Sequence, residues 1–422
     1  MSVSRLYLLI FAAACDATVA SDRAGVSVTD SAGVAIVTNQ RPSWTATSGW
    51  HVDSVPITSI GGDDRDIHQQ FQYVGAARRL SDGRVVIATA NDFRWFDANG
   101  KYLMTSSRAG DGPGEFRYLS TLHRAVGDTV IAGDGMGRRV STFGPDGVFI
   151  REQRLDLSRF AALGRWEECA SALLPDGSRY TCKSDPTIPA TLSNRPSRMV
   201  KPGWSSPGPG HLRQLKRTYL VPATLDTAYP MGIVAGIEQF GVRSGTNGEV
   251  FLQHPFYSYS LIASGGHPMR IVSITNPDYR IEIWTPKGTL ERVILRTNGR
   301  RAPTREERAD ARAQMLTMHR RMADPVTLAR LVDAVPTPDS LPAAVGLVVS
   351  DSGEIVVQRE GFPAGPRASA FDVFGADGRW LGAFQFAPRT LLIEVGIDYL
   401  LTVRLDADDA PHVEVLRLHR RR

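Results

Sequence analysis

Short runs of β-branched and aromatic residues, broken by Gly, Asp or Asn turns, recur along most of this 422-residue chain. One recurring unit is a hairpin, written Leu80-Ser-Asp-Gly-Arg-Val-Val-Ile87 in its first copy and Ala125-Val-Gly-Asp-Thr-Val-Ile-Ala132 in its second. Further copies begin at Leu174, Gly245, Val349 and Glu394. A turn pair flanked by such runs predicts a β-hairpin. Six copies predict six repeats.

A second unit follows in four of the six and reads aromatic, any, Ala or Pro, any, Gly. Its copies are Phe96-Asp-Ala-Asn-Gly100, Phe143-Gly-Pro-Asp-Gly147, Trp284-Thr-Pro-Lys-Gly288 and Phe374-Gly-Ala-Asp-Gly378. Each ends one strand and starts the next, so the two units together give four strands in about 45 residues, the size of one propeller blade. A third unit, Gly110-Asp-Gly-Pro-Gly-Glu-Phe116, has echoes ending at Phe71 and Phe240. Its glycines suit a crossover between blades, with the phenylalanine buried there. The pattern therefore predicts an all-β, six-bladed β-propeller of four-stranded antiparallel blades over residues 26–422.

Two stretches depart from the repeat. A polar, Pro- and Gly-rich insertion around residues 185–210 interrupts the third blade, and additions flank the third strand of the fourth. One addition, residues 303–335, predicts a short helical insertion on the rim. Thr304 stands as its N-cap with acidic residues after it, and Leu316, Met322 and Leu328 are apolar spots along it. The sixth blade runs out of chain after the strand around Val413–Leu418, which would leave an open edge. The N-terminal run from Gly33 to Thr38 is the expected donor, so that N- and C-terminal strands close the ring.

The first twenty residues read as a leader. Arg5 precedes the apolar stretch of residues 6–14, a hydrophobic run of signal-peptide length and about half of what a membrane-spanning helix needs. Ala12, Ala13 and Ala14 directly before Cys15 resemble the bacterial lipobox, although leucine is usual at the position of Ala12. The resemblance implies lipidation of Cys15 and anchoring to the bilayer on the periplasmic side of the cell envelope. Asp16 matches a signal for retention at the inner membrane, and simple cleavage after Ala14 or Ala20 is the alternative. With Cys15 lipidated, Cys169 and Cys182 are the remaining pair. They flank the turn at Pro175 and Asp176 at equal distance, which places them opposite each other and predicts a disulfide. A bulge at Gly177 would instead send them to different faces.

The three units together resemble the NHL and TolB-like repeats of bacterial six-bladed β-propeller proteins, many of them lipoproteins. The resemblance spans most of the mature chain and implies the fold while saying little of function.

Candidate chemistry is sparse. The nine histidines include no pair at helical zinc spacing, and no Gly-x-Ser-x-Gly elbow occurs. No catalytic or metal site is predicted and no cofactor is implied. Calcium at Asp63, Asp64 and Asp66 is the one metal candidate, without the alternating ligand spacing of a calcium loop. At matching places in successive inner strands stand Arg78 or Arg79, and His123 or Arg124. A basic ring of Arg78, His123 and Arg124 suits an anionic ligand. Phe256, Tyr257 and Tyr259 are candidates for stacking on a sugar or a partner, or for burial. The net charge of +5 is only mildly basic, and no nucleic-acid partner is expected. The basic end from Arg417 to Arg422 reads as a solvated terminus. These features favour a monomeric, tethered binding module for an envelope protein, peptide or glycan. The alternative is a lactonase-like hydrolase or lyase working in the central channel.

Overall fold

The computed structural model describes residues 25–421 except 46–47, 135–138, 155–165, 168–172, 185–209, 225, 245–247, 258, 276–278, 298–299 and 361–367. Six sheets form the blades of a propeller. The first blade is Ala76–Arg79, Val85–Ala88, Phe93–Phe96 and Tyr102–Ser106. The second is Leu119–Arg124, Val130–Asp134, Arg139–Phe143 and Phe149–Arg154. The fifth is Gly346–Val349, Ile355–Glu360, Ala368–Phe374 and Trp380–Pro388. In each of these the strands pair antiparallel in chain order from the axis outward.

The aromatic-to-glycine units join third and fourth strands, as the repeat predicts. Gly100, Gly147, Gly288 and Gly378 all have φ between +76° and +86°, the left-handed region that glycine enters without a Cβ clash. Each also lies against the outer strand of the preceding blade. A Cβ on Gly147 would stand 2.7 Å from Ser106 Oγ, and one on Gly378 would stand 3.0 Å from Ile294 Cγ1. The repeated glycine is thus a device for blade-to-blade contact as well as for turning. Phe116 is fully buried between the first two blades with Phe93 and Phe143, as the third unit predicts.

The ring closes through the N-terminus, but not through the expected donor. In the sixth blade, Thr390–Val395, Tyr399–Leu405 and Pro411–Arg421 are followed outward by Gly49–Val52 and Thr58–Ile60, both paired with the last strand. The expected donor run enters its strand at Val34, and that strand, Val34–Asn39, instead pairs parallel with Leu290–Arg296 on the fourth blade, with Val26–Ser31 outside it. The N-terminal segment therefore straps three blades. Between its two pairings it crosses the fifth, where the buried Asn39 accepts the Trp380 amide N–H at 2.8 Å and donates to Gly378 O at 3.1 Å. Trp44 N–H bonds Leu381 O nearby. The basic end is woven into this sheet: Arg420 Nη1 donates to Glu354 Oε1 at 3.0 Å and Nη2 to Gly396 O at 2.9 Å.

The third and fourth blades also differ from expectation. The hairpin after Gly245 is not the inner pair of blade four. Its strands, Tyr229–Ser244 and Gly248–Leu252, are the outermost of blade three, beyond Trp166–Glu167, Arg179–Ser184 and Gly210–Val221. Blade four begins later, at Leu261–Gly265 and Arg270–Thr275, with Arg280–Trp284 and Leu290–Arg296 outside them. The reason lies in packing: Val242 and Leu252 bury against helices rather than toward the axis. The insertion forms two helices, α1 (Arg305–Met318) and α2 (Pro325–Asp333). Thr304 caps α1 in a capping box with Glu307 as expected, while Asp324 and Pro325 start α2 and split the insertion. Met315, Leu328, Leu331 and Val332 cover the outer strands of blade three, whereas Met322 is exposed.

Candidate functional site in the central channel

The first strands of five blades, with Leu173 and Pro175 of the third, surround a central cavity of about 360 Å³. Their far ends meet at one mouth. Ser81 N–H and Oγ donate to Asp128 between the first hairpin turns, Gly266 N–H donates to Ser350 O between those of blades four and five, and Arg79 N–H donates to Glu394 Oε2 at 3.1 Å. The near ends meet at the other mouth, where Gly75 lies against Leu119 O.

The hairpin mouth holds the charge. Arg78, His123 and Arg124, the three residues singled out from the sequence, all line the cavity, together with Asp351 and Glu394. Arg124 Nη2 donates to Asp351 Oδ2 at 3.0 Å, joining blade two to blade five, which stands diametrically opposite. Asp351 is 71% exposed there, so water screens the pair and its contribution to stability is small. Glu394 accepts a hydrogen bond from the Tyr399 hydroxyl, and the Arg79 guanidinium stacks on the Tyr399 ring at 4.6 Å. Burial, with Glu394 beside it, raises the Tyr399 phenol and keeps it a donor. Arg79 is therefore a supporting residue, and Arg78 is the member of the arginine pair that lines the cavity.

Arg78 has a different situation. Among the described residues its side chain makes one hydrogen bond, from Nη1 to Ala77 O at 2.7 Å, and no ion pair. Burial within the ring lowers its pKa, with Glu394 and Tyr399 acting the other way. His123 is pushed down to about 3 by burial, with the Arg78 guanidinium adding to the effect against a hydrogen bond to Leu173 O. It is a neutral imidazole at physiological pH. The remaining wall is mostly apolar, including Val74, Leu122, Leu173, Ile262, Leu347 and Leu391, with Thr121 and Ser264 as its polar side chains. At the far mouth Tyr73 folds over Gly75, and Tyr73 and Tyr118 are 49% and 41% exposed. Burial and a hydrogen bond with Tyr118 push the Tyr73 phenol up to about 12.

Other candidates lie elsewhere. Tyr257 is buried against the helical insertion and donates to Pro336 O at 3.4 Å; His254 is buried beside it. Tyr257 serves packing, because the helices cover it, while Phe256 and Tyr259 are half-buried. Asp63 bonds Arg65, Asp66 caps the turn at His68, and the Asp64 carbonyl accepts from Gln70. Among the described residues no group of three His, Cys, Asp or Glu is placed to hold a metal, and no helix is long and apolar enough to cross a membrane. Cys182 is buried and disulfide-bonded; Cys169, Cys15 and the leader lie outside the described residues.

Sequence reasoning missed Glu394 and Asp351. The signal was present for Glu394, which stands just before its hairpin turn as Arg79 and Arg124 stand before theirs. Asp351 sits in a turn, where aspartate is common for backbone reasons alone.

No family model and no curated protein matches the chain. Solved structures do. A protein described as exported, from Bacteroides fragilis, is 11% identical over 92% of this chain and 100% of its own, with a TM-score of 0.46. A DUF4221 family member from Bacteroides vulgatus is 9% identical over 89% and 99%, with a TM-score of 0.44. A Xanthomonas campestris gluconolactonase is 11% identical over 90% and 99%, with a TM-score of 0.38. The six-bladed assignment rests on the strand pairing described above rather than on these likenesses.

Proposed function

We propose that this chain is an exported, non-catalytic binding propeller, held at a membrane surface of the cell envelope through Cys15, whose ligand engages the charged mouth of the central channel. The leader before Cys15 supports the location. The observation that carries the function is the free guanidinium of Arg78 in a cavity whose two carboxylates already have partners. A lactonase-like site would need carboxylates free to activate water or bind a metal, whereas this wall offers a cation and apolar surface. Such a mixture of apolar wall and a few convergent polar groups is the usual make-up of a ligand pocket.

The test is a thermal-shift screen of acidic oligosaccharides, acidic peptides and small organic acids, run on the protein and on Arg78→Met. A ligand that raises the melting temperature of the former alone supports the reading. Turnover of lactones or esters, or stabilisation by calcium that EDTA reverses, would replace it with the hydrolase alternative.

A further inference from the structure

The two ends of the channel differ in chemistry, and that difference names a class of ligand. At the hairpin mouth Arg78 presents a guanidinium with one hydrogen bond, to the carbonyl of its own neighbour, and no ion pair. Arg124 and Asp351 satisfy each other across the opening. Glu394 is held by the Tyr399 hydroxyl and the Arg79 amide. Among the described residues of the lining, one positive group is thus left without an ion-pair partner. A guanidinium matches a carboxylate through two parallel hydrogen bonds. His123, beside it, is neutral and adds no second charge. One free cation suits a monoanion better than a phosphate dianion.

Away from this end the wall turns apolar. Val74, Leu122, Ile262, Leu347 and Leu391 line the cavity there, with Thr121 among them, and the opposite mouth is flanked by the half-exposed rings of Tyr73 and Tyr118. A ligand charged along its whole length would leave its polar groups against these side chains without partners. An apolar body attached to a single acid group satisfies both ends, and about 360 Å³ is enough for a small organic molecule.

We infer that the channel binds an amphiphilic monocarboxylate, its acid group on Arg78 and its apolar body along the aliphatic wall toward the Tyr73 and Tyr118 mouth. This rests on the channel being the binding site, as proposed above.

The probe is sodium octanoate, titrated calorimetrically into the purified full-length protein, with sodium acetate, octan-1-ol and octylammonium chloride as comparisons. Octanoate is expected to bind at one site at least tenfold more tightly than each of the others. Arg78→Met is expected to weaken octanoate at least tenfold and leave octanol unchanged, which general damage to the fold would not do. Arg78→Lys is expected to fall between. The head-group comparison needs only the unaltered protein, so it decides the matter even if the methionine variant does not fold. Octanol or octylammonium binding as tightly as octanoate would overturn the assignment, as would octanoate binding that ignores Arg78→Met in a folded variant. An acidic glycan or peptide that binds through Arg78 while octanoate stays silent would sink the ligand class alone and keep the channel as the site.

Discussion

At the scale of single residues, the ring imposes on a few side chains what water would not. His123 illustrates this. An ordinary histidine takes up a proton near pH 6.5, whereas burial, aided by Arg78, delays protonation in the folded chain to about pH 3. Between these values the unfolded chain binds the proton and the folded chain does not. His123 therefore contributes stability in full above about pH 6.5, and that contribution falls away as the pH drops toward 3. Thermal melts of His123→Gln and the unaltered protein across this range are expected to converge as the acid limb is approached, with the variant less sensitive to pH. Parallel curves would show that the imidazole is solvated.

At the scale of elements, the N-terminal strap depends on one amide. Asn39 lies fully buried where blades four and five meet and exchanges hydrogen bonds with the backbone of residues 378 and 380. Replacing it by alanine leaves a buried N–H and a buried carbonyl without partners, each costing about 1–3 kcal/mol. Asn39→Ala is expected to lower the unfolding free energy by about 2–4 kcal/mol, read from urea titration with unchanged m-value. A loss below about 1 kcal/mol would mean that water or a shifted backbone replaces the amide. The sequence marks the elements themselves well: Thr304 opens α1 where the capping residues predict it. It marks their partners poorly. The run around residues 33–38 reads as a strand from its β-branched residues, yet nothing local tells it to pair in parallel with Leu290–Arg296 rather than with the C-terminal strand.

At the scale of the whole molecule, ring closure and strapping are separable. Removing residues up to 40 takes away the outer hairpin of blade four but leaves Gly49–Val52 and Thr58–Ile60 on the last strand. Removing residues up to 60 exposes that strand along its outer side, a template for pairing with another chain. The longer truncation is expected to self-associate in light scattering after size exclusion, and the shorter one to stay monomeric. Equal behaviour of the two would show that the inner strands hold the ring without the N-terminal closure.

The chain by itself determined where strands and turns fall, because hairpin and glycine-turn signals are local: Gly100, Gly147, Gly288 and Gly378 each need a left-handed backbone that few other residues adopt. It also placed Arg78 with His123, and Arg79 with Arg124, at equivalent points of neighbouring inner strands, since the repeat aligns them. Only the tertiary structure decided which of these charges is spent. Arg124 meets Asp351, and Glu394 meets the Arg79 amide, across distances of chain that no spacing encodes. Arg78 is left facing the cavity without an ion pair among the described residues, because Asp351 and Glu394 bond other groups.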